Sequence, residues 1–147
     1  MSTLRDRLGG PAERARLAAC AATAPEMLTW LAADPDAGVR AAVAANGATP
    51  HQAGLLLAED PAPDVRRALA ARLGALAPQL AADAQDRLAR IGAAILDRLV
   101  RDAATEVRAA LAEAVAGLPD APRALILQLA SDTELPVAGP VLSLSPL

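Results

Sequence analysis

The sequence predicts an all-α fold built as a short stack of helical hairpins, and three observations carry that expectation. One phrase recurs along the chain with a fixed internal spacing, aromatic residues make up only 1% of it, and its 54% hydrophobic content is Leu, Val, Ile and above all Ala. The phrase reads Leu31-Ala-Ala-Asp34-Pro-Asp-Ala-Gly-Val39-Arg40, then Leu57-Ala-Glu-Asp60-Pro-Ala-Pro-Asp-Val65-Arg66, then Leu99-Val-Arg-Asp102-Ala-Ala-Thr-Glu-Val107-Arg108. A fourth copy, Leu129-Ala-Ser-Asp132-Thr-Glu-Leu-Pro-Val137-Ala138, has lost the arginine. In each copy Asp follows Leu by three positions and Val follows Asp by five. A unit this short cannot bury its apolar face alone, so successive copies must share one core. Alanine fills a core only where backbones approach closely, and it is the best helix former, which favours helix on helix.

Taken in order, residues 1–22 lack the Asp-to-Val-Arg phrase and read as an N-terminal cap, with Pro11 opening a helix to about Ala22. Arg5, Asp6, Arg7, Glu13, Arg14 and Arg16 are expected to face water there. The first repeat, about 23–47, opens on Thr23-x-x-Glu26, a capping-box pattern. Its two helices are expected at about 25–33 and 36–46, the second burying Val39, Ala42 and Val43 and closing at Asn46-Gly47. The second repeat, about 48–74, opens on Thr49-x-x-Gln52, presents Leu55, Leu56 and Leu57 from a helix at 50–59, and ends a helix at 63–73 before Gly74.

The third repeat, about 78–117, is longer. Its residues 78–100 form either one elongated helix or two with a bend near Ala82-Asp83 or Gly92, with Leu88, Ile91, Ile95 and Leu99 at helical spacing. A helix over 104–116 follows. The fourth repeat, about 121–144, has a helix at 122–131 carrying Leu125, Ile126 and Leu129, then an apolar, proline-broken segment.

Composition narrows the function classes. The net charge is -3 with a pI near 5.1, which argues against a dedicated nucleic-acid binder and its basic face. All 14 basic residues are arginine, which reads as nucleotide-composition bias before it reads as function. A single cysteine, Cys20, excludes an internal disulfide or a cysteine-rich metal site. No apolar run reaches the roughly 18–20 residues of a membrane span, and the N-terminus lacks a signal-peptide pattern. The expectation is a soluble, cytoplasmic protein without a membrane partner.

The repeated phrase resembles HEAT-like repeats and, in wording, the leucine-rich-repeat-variant helical repeats of bacteria. The resemblance implies a right-handed superhelix, an α-solenoid of about four HEAT-like hairpins, in a single domain over 1–147. It also implies that Asp in the inter-helix turn and Arg six positions later form a charged ladder. The matching residues are Asp34 with Arg40, Asp60 with Arg66, and Asp102 with Arg108. Ala138 stands where the next arginine belongs, so that rung is expected to be empty. Residues 85–144 also look like an uncharacterised family of HEAT-like domains from alphaproteobacteria, which shares the closing phrase Val137-Ala-x-Pro-Val-Leu142. One relative of that kind binds an iron–sulfur cluster through cysteines that this chain does not have.

No residue set points to catalysis. His51 has no second histidine or nearby cysteine to make a metal site, and Cys20 is expected to be a small buried residue. Asp34, Asp36, Asp60 and Asp64 sit at expected helix starts, where carboxylates serve as caps. No phosphate-cradling loop or nucleophile–base set is present, so no catalytic, cofactor or metal residue is assigned and no cofactor is expected.

The reading is a non-catalytic protein–protein interaction or scaffold module, serving as the N-terminal regulatory domain of a larger bacterial protein. Its groove would be lined by the second helices, with Ala41, Ala44, Arg67, Ala70 and Ala109 near the surface. Trp30, the only large aromatic, is read as packed between the cap and the first repeat, with anchoring of a partner as the alternative. After Glu134 no charged residue follows, so Val141 and Leu142 are candidates for contact with a partner or, in a homodimer, with a second copy. Two other readings stay open: a nucleic-acid-binding relative of base-excision glycosylases, and a lyase- or chaperone-like helper.

Overall fold

A computed structural model describes residues 3–144, which form eleven α-helices and no strand among the described residues. They are α1 (Leu4–Arg7), α2 (Pro11–Ala19), α3 (Pro25–Leu31), α4 (Ala37–Ala45), α5 (His51–Leu57) and α6 (Pro63–Ala75). Then come α7 (Ala77–Ala82), α8 (Arg87–Leu99), α9 (Thr105–Ala116), α10 (Arg123–Ala130) and α11 (Leu135–Leu144). Local chemistry sets the starts. Pro11, Pro25 and Pro63 lie in first turns, where a missing N–H forfeits nothing. Asp36 and Asp86 cap α4 and α8 by accepting from Val39 N–H and Leu88 N–H. Thr3 and Asp6 form a reciprocal capping box on α1.

Five of the helices pack in a row. The second helix of each hairpin packs on the next, α2 on α4, α4 on α6, α6 on α9 and α9 on α11. The first helices α3, α5, α8 and α10 lie against α4, α6, α9 and α11, and α5 also packs on α8. One core runs the length of the array from Ala18 to Val141, filled by Leu28, Leu31, Val43, Leu69, Ile95, Leu111 and Leu129. The second helices begin at 11, 37, 63, 105 and 135, so their residues correspond at offsets of 26, 26, 42 and 30.

The structure corrects several local expectations. Thr23 and Thr49 do not cap the following helices. Each hydroxyl donates backwards to the carbonyl six residues earlier, Leu17 and Val43, at 2.6 and 2.7 Å. These are carbonyls of the preceding helix's last turn, each of which also accepts the C-cap N–H three residues on, from Cys20 and Asn46. Asn46-Gly47 is not a left-handed cap either: Gly9 is the only positive-φ glycine among the described residues, and Asn46 is extended. Gly74 does not end α6 but lies buried within it, where an added Cβ would stand 2.8 Å from the Ala114 Cβ. Its bare backbone lets α6 and α9 approach closely. Gly92 likewise sits inside α8, so the bend falls at Asp83, between α7 and α8.

Leu55, Leu56 and Leu88 are exposed rather than inward, because consecutive residues diverge by about 100° around a helix. Of the Leu55–Leu57 run only Leu57 reaches the core, with Ala53 and Gly54 beside it. The closing segment is not broken by proline. It is helical from Leu135, with Pro136 in its first turn and Pro140 inside. The N–H missing at Pro140 deprives only the carbonyl of Pro136, an exposed residue whose carbonyl water can serve.

Candidate functional site

The most regular chemistry in the molecule lies in the turns between paired helices. Arg40 sends Nε and Nη2 to the carboxylate of Asp60 at 2.7 and 3.2 Å, while its Nη1 donates to the Asp34 carbonyl at 2.8 Å. Arg66 does the same to Asp102 at 2.8 and 3.2 Å, with Nη1 on the Asp60 carbonyl at 2.7 Å. Arg108 bonds Asp132 at 2.8 and 3.4 Å and the Asp102 carbonyl at 2.7 Å. Each guanidinium thus ties its own turn to the next one. With Nη1 spent on its own turn, the planar Nε/Nη2 edge meets both carboxylate oxygens side-on, so the pair fixes register as well as distance.

The acceptors are held too. Oδ1 of Asp34, Asp60, Asp102 and Asp132 accepts the backbone N–H two residues on, at 2.9 to 3.0 Å, an Asx turn in every copy. Asp34 and Asp60 are therefore not helix caps; in the first copy that task falls to Asp36. Asp64 is exposed in the first turn of α6. Burial pushes the Asp34 carboxyl up, but the Arg14 fork, the Asp36 N–H and the nearby Arg14 and Arg5 charges outweigh it and leave it below the usual carboxylate range. Hydrogen bonding from Arg108 holds Asp132 low against its own desolvation.

The rung that sequence reasoning missed belongs to Arg14. It is buried, with Nε and Nη2 on Asp34 at 2.9 and 3.2 Å and Nη1 on the Gly9 carbonyl at 2.9 Å. The N-terminal segment thus supplies a rung of its own through α2, and Arg14 does not face water as expected. A signal was present: Arg14, Arg40 and Arg66 are spaced by 26 and each is followed by an apolar residue three positions on, Leu17, Val43 and Leu69. What hid it was Leu8, which stands where the other units have Asp. Arg5 is also withdrawn from water. Its Nε donates to Asp34 at 3.1 Å, and its guanidinium lies 4.4 Å from the centroid of the Trp30 ring. Trp30 is partly buried and packs against the core beneath that cation.

A second polar edge runs along the opposite ends of the helices. The Asn46 amide donates to the Ala18 and Cys20 carbonyls at 2.8 and 2.9 Å, and its oxygen accepts from Ala48 N–H. One period later Arg72 donates Nε to the Ala44 carbonyl at 2.6 Å. Both close the last turn of the preceding second helix. Buried atoms Arg72 Nη2 and His51 Nδ1 have no hydrogen-bond partner. Desolvation and the nearby Arg72 charge hold the His51 pKa below its usual value, with Asp86 opposing them.

The remaining candidates fall in different places. Arg67 is exposed and 3.6 Å from Asp64. Ala44 and Ala70 are fully buried, so they line no groove, whereas Ala41 and Ala109 are partly exposed. Val141 is 2% exposed and faces the core; Leu142, its neighbour, is 67% exposed. Cys20 is exposed at the end of α2, not buried, because the helix stops there and its side chain leaves the packed row. An apolar cleft of about 260 Å³ opens between α7, α8 and α10, lined by Leu80, Leu96, Val100 and Leu125 with Asp97 at its edge. Among the described residues no group of three His, Cys, Asp or Glu is placed to hold a metal, and no helix is long and apolar enough to cross a membrane. Compared with protein families, with curated proteins and with solved structures, the chain matches none.

Proposed function

We propose that the chain is a HEAT-like α-solenoid of helical hairpins acting as a non-catalytic protein-interaction or scaffold module, cytoplasmic and part of a larger bacterial protein. The observation that carries this reading is the fate of the arginines. Arg14, Arg40, Arg66 and Arg108 each spend a bidentate fork on an aspartate of the next unit. They are neutralised locally, so this row offers no free positive charge to a phosphate backbone, which weakens the glycosylase-like reading. What they secure is a rigid series of second helices whose outer face is free to meet a partner, with Arg67 and Ala71 exposed at its middle. A rigid face of this kind loses little conformational entropy on binding.

The test is capture of partners from bacterial lysate with the full chain, with and without nuclease, beside the Arg67→Glu variant. A nuclease-resistant partner lost with Arg67→Glu is the expected result. Capture that vanishes with nuclease would instead favour a nucleic-acid role.

A further inference from the structure

The correspondence between second helices exposes an anomaly at α11. One position in that row is Ala18, Ala44, Ala70 and Ala112, and each is 0% exposed, because the next second helix packs on it. In α11 the same position is Leu142, 67% exposed. The ladder position one turn earlier is Ala138, which can send no guanidinium to a further turn. A further repeat docked in the usual way would need a small residue at 142 and an arginine at 138. The face is built for something else.

Its pattern indicates what. Leu135, Ala138, Gly139 and Leu142 follow one another at helical spacing in the order large, small, small, large; Ala138 is 6% exposed and borders the core, so Gly139 forms the accessible floor between the two exposed leucines. Leu135 is 76% exposed, and a Cβ at Gly139 would meet only Leu135, at 3.8 Å, so the stripe is a saddle with a low centre. No residue from 135 to 144 carries a charge. Such a face has nothing to recognise a charged partner, and it is complementary to itself. Two copies crossing antiparallel would bring their backbones together at the small residues and set Leu135 against Leu142 of the partner subunit twice over. A contact that pairs a surface with itself closes after two copies and leaves no open end.

We propose that this stripe is a homodimer interface, α11 pairing with α11 of a second copy about a twofold axis near the Ala138–Gly139 peptide. The inference rests on the repeat register and stands apart from the protein-binding reading, since a dimer can form whether or not the second-helix face has a partner. One short helix a side makes a modest interface, so the dimer is reversible and concentration-dependent.

Sedimentation velocity on the full chain, over about a hundredfold range of concentration, tests it. The wild type is expected to pass from monomer to dimer and go no further. Leu142→Asp and Gly139→Gln, the second filling the saddle at a site with room for a side chain, should both stay monomeric with unchanged circular dichroism. Leu56→Asp, an equally exposed leucine elsewhere, should dimerise as the wild type does. In a Cys20→Ser background, Leu135→Cys with Leu142→Cys should cross-link between chains. A wild type that is monomeric throughout, one that builds open-ended oligomers, or a dimer that survives both α11 variants would overturn the proposal.

Discussion

From α2 to α6 neighbouring second helices are tied at both ends, by Arg14 and Arg40 on aspartates at one edge and by Asn46 and Arg72 on helix-end carbonyls at the other. From α6 to α11 only the first edge continues. At the register of Asn46 and Arg72 stands Ala114, which packs against Gly74. The two edges differ in what the chain does between units. The Arg–Asp edge lies in the short turn within a hairpin, and its pairs close across 20, 20, 36 and 24 residues with the same geometry. The other edge lies where one hairpin passes to the next, the place into which α7 is inserted. A ladder seated in an invariant turn survives insertion, whereas one seated in the variable connection does not.

The contrast can be broken by removing rungs. The largest effect is expected from Asp60→Ala, which leaves the Arg40 guanidinium, only 15% exposed, without its carboxylate and abolishes an Asx turn. Breaking a buried pair from one side costs about 3–5 kcal/mol, read as a lower denaturant midpoint. Asn46→Ala should cost less, about 1–3 kcal/mol, for the Ala18 carbonyl and the Ala48 N–H left without their partners; a loss equal to that of Asp60→Ala would mean the edges are equivalent.

Proton linkage sharpens the same picture. His51 packs beside Arg72 on the second edge, and its folded pKa is depressed. The unfolded chain therefore binds the proton more readily, so stability should fall as pH drops below about 6.5. His51→Gln should flatten that slope, and a histidine titration midpoint at or above the free value would contradict the assignment. The first edge responds at lower pH: stability from Asp34 and Asp132 is present above the ordinary carboxylate range and lost as pH falls through their lowered values. The smallest effect belongs to Arg98→Ala. Its 2.7 Å contact with Glu59 is more than half exposed on both sides, and about 0–1 kcal/mol is expected.

Much of the fold was legible because helix boundaries are written in local chemistry. The recurring Asp-to-Val-Arg phrase marks each hairpin turn, and Pro11 and Pro25 mark starts. What was not legible depended on neighbours. Thr23 and Asn46 have the right identity for caps of their own helices, yet they serve the helices behind or beside them. Gly74 and Gly92 look like terminators and are close-contact points instead. Arg14 was hidden because one missing aspartate masked a rung whose other half lies a unit away. At the surface, Val141 and Ala70 were indistinguishable from exposed neighbours until the row of helices showed which side each one turns to the core.

On this geometry the Arg–Asp rungs couple neighbouring units irrespective of the chain between them. The most direct test is a double-mutant cycle on Arg66 and Asp102, the pair that spans α7, beside the same cycle on Arg40 and Asp60. Equal coupling in the two cycles, about 1.5–3 kcal/mol each, is the predicted result. Additivity within about 0.5 kcal/mol at Arg66–Asp102, with coupling kept at Arg40–Asp60, would contradict it and place the division of the array at the insertion.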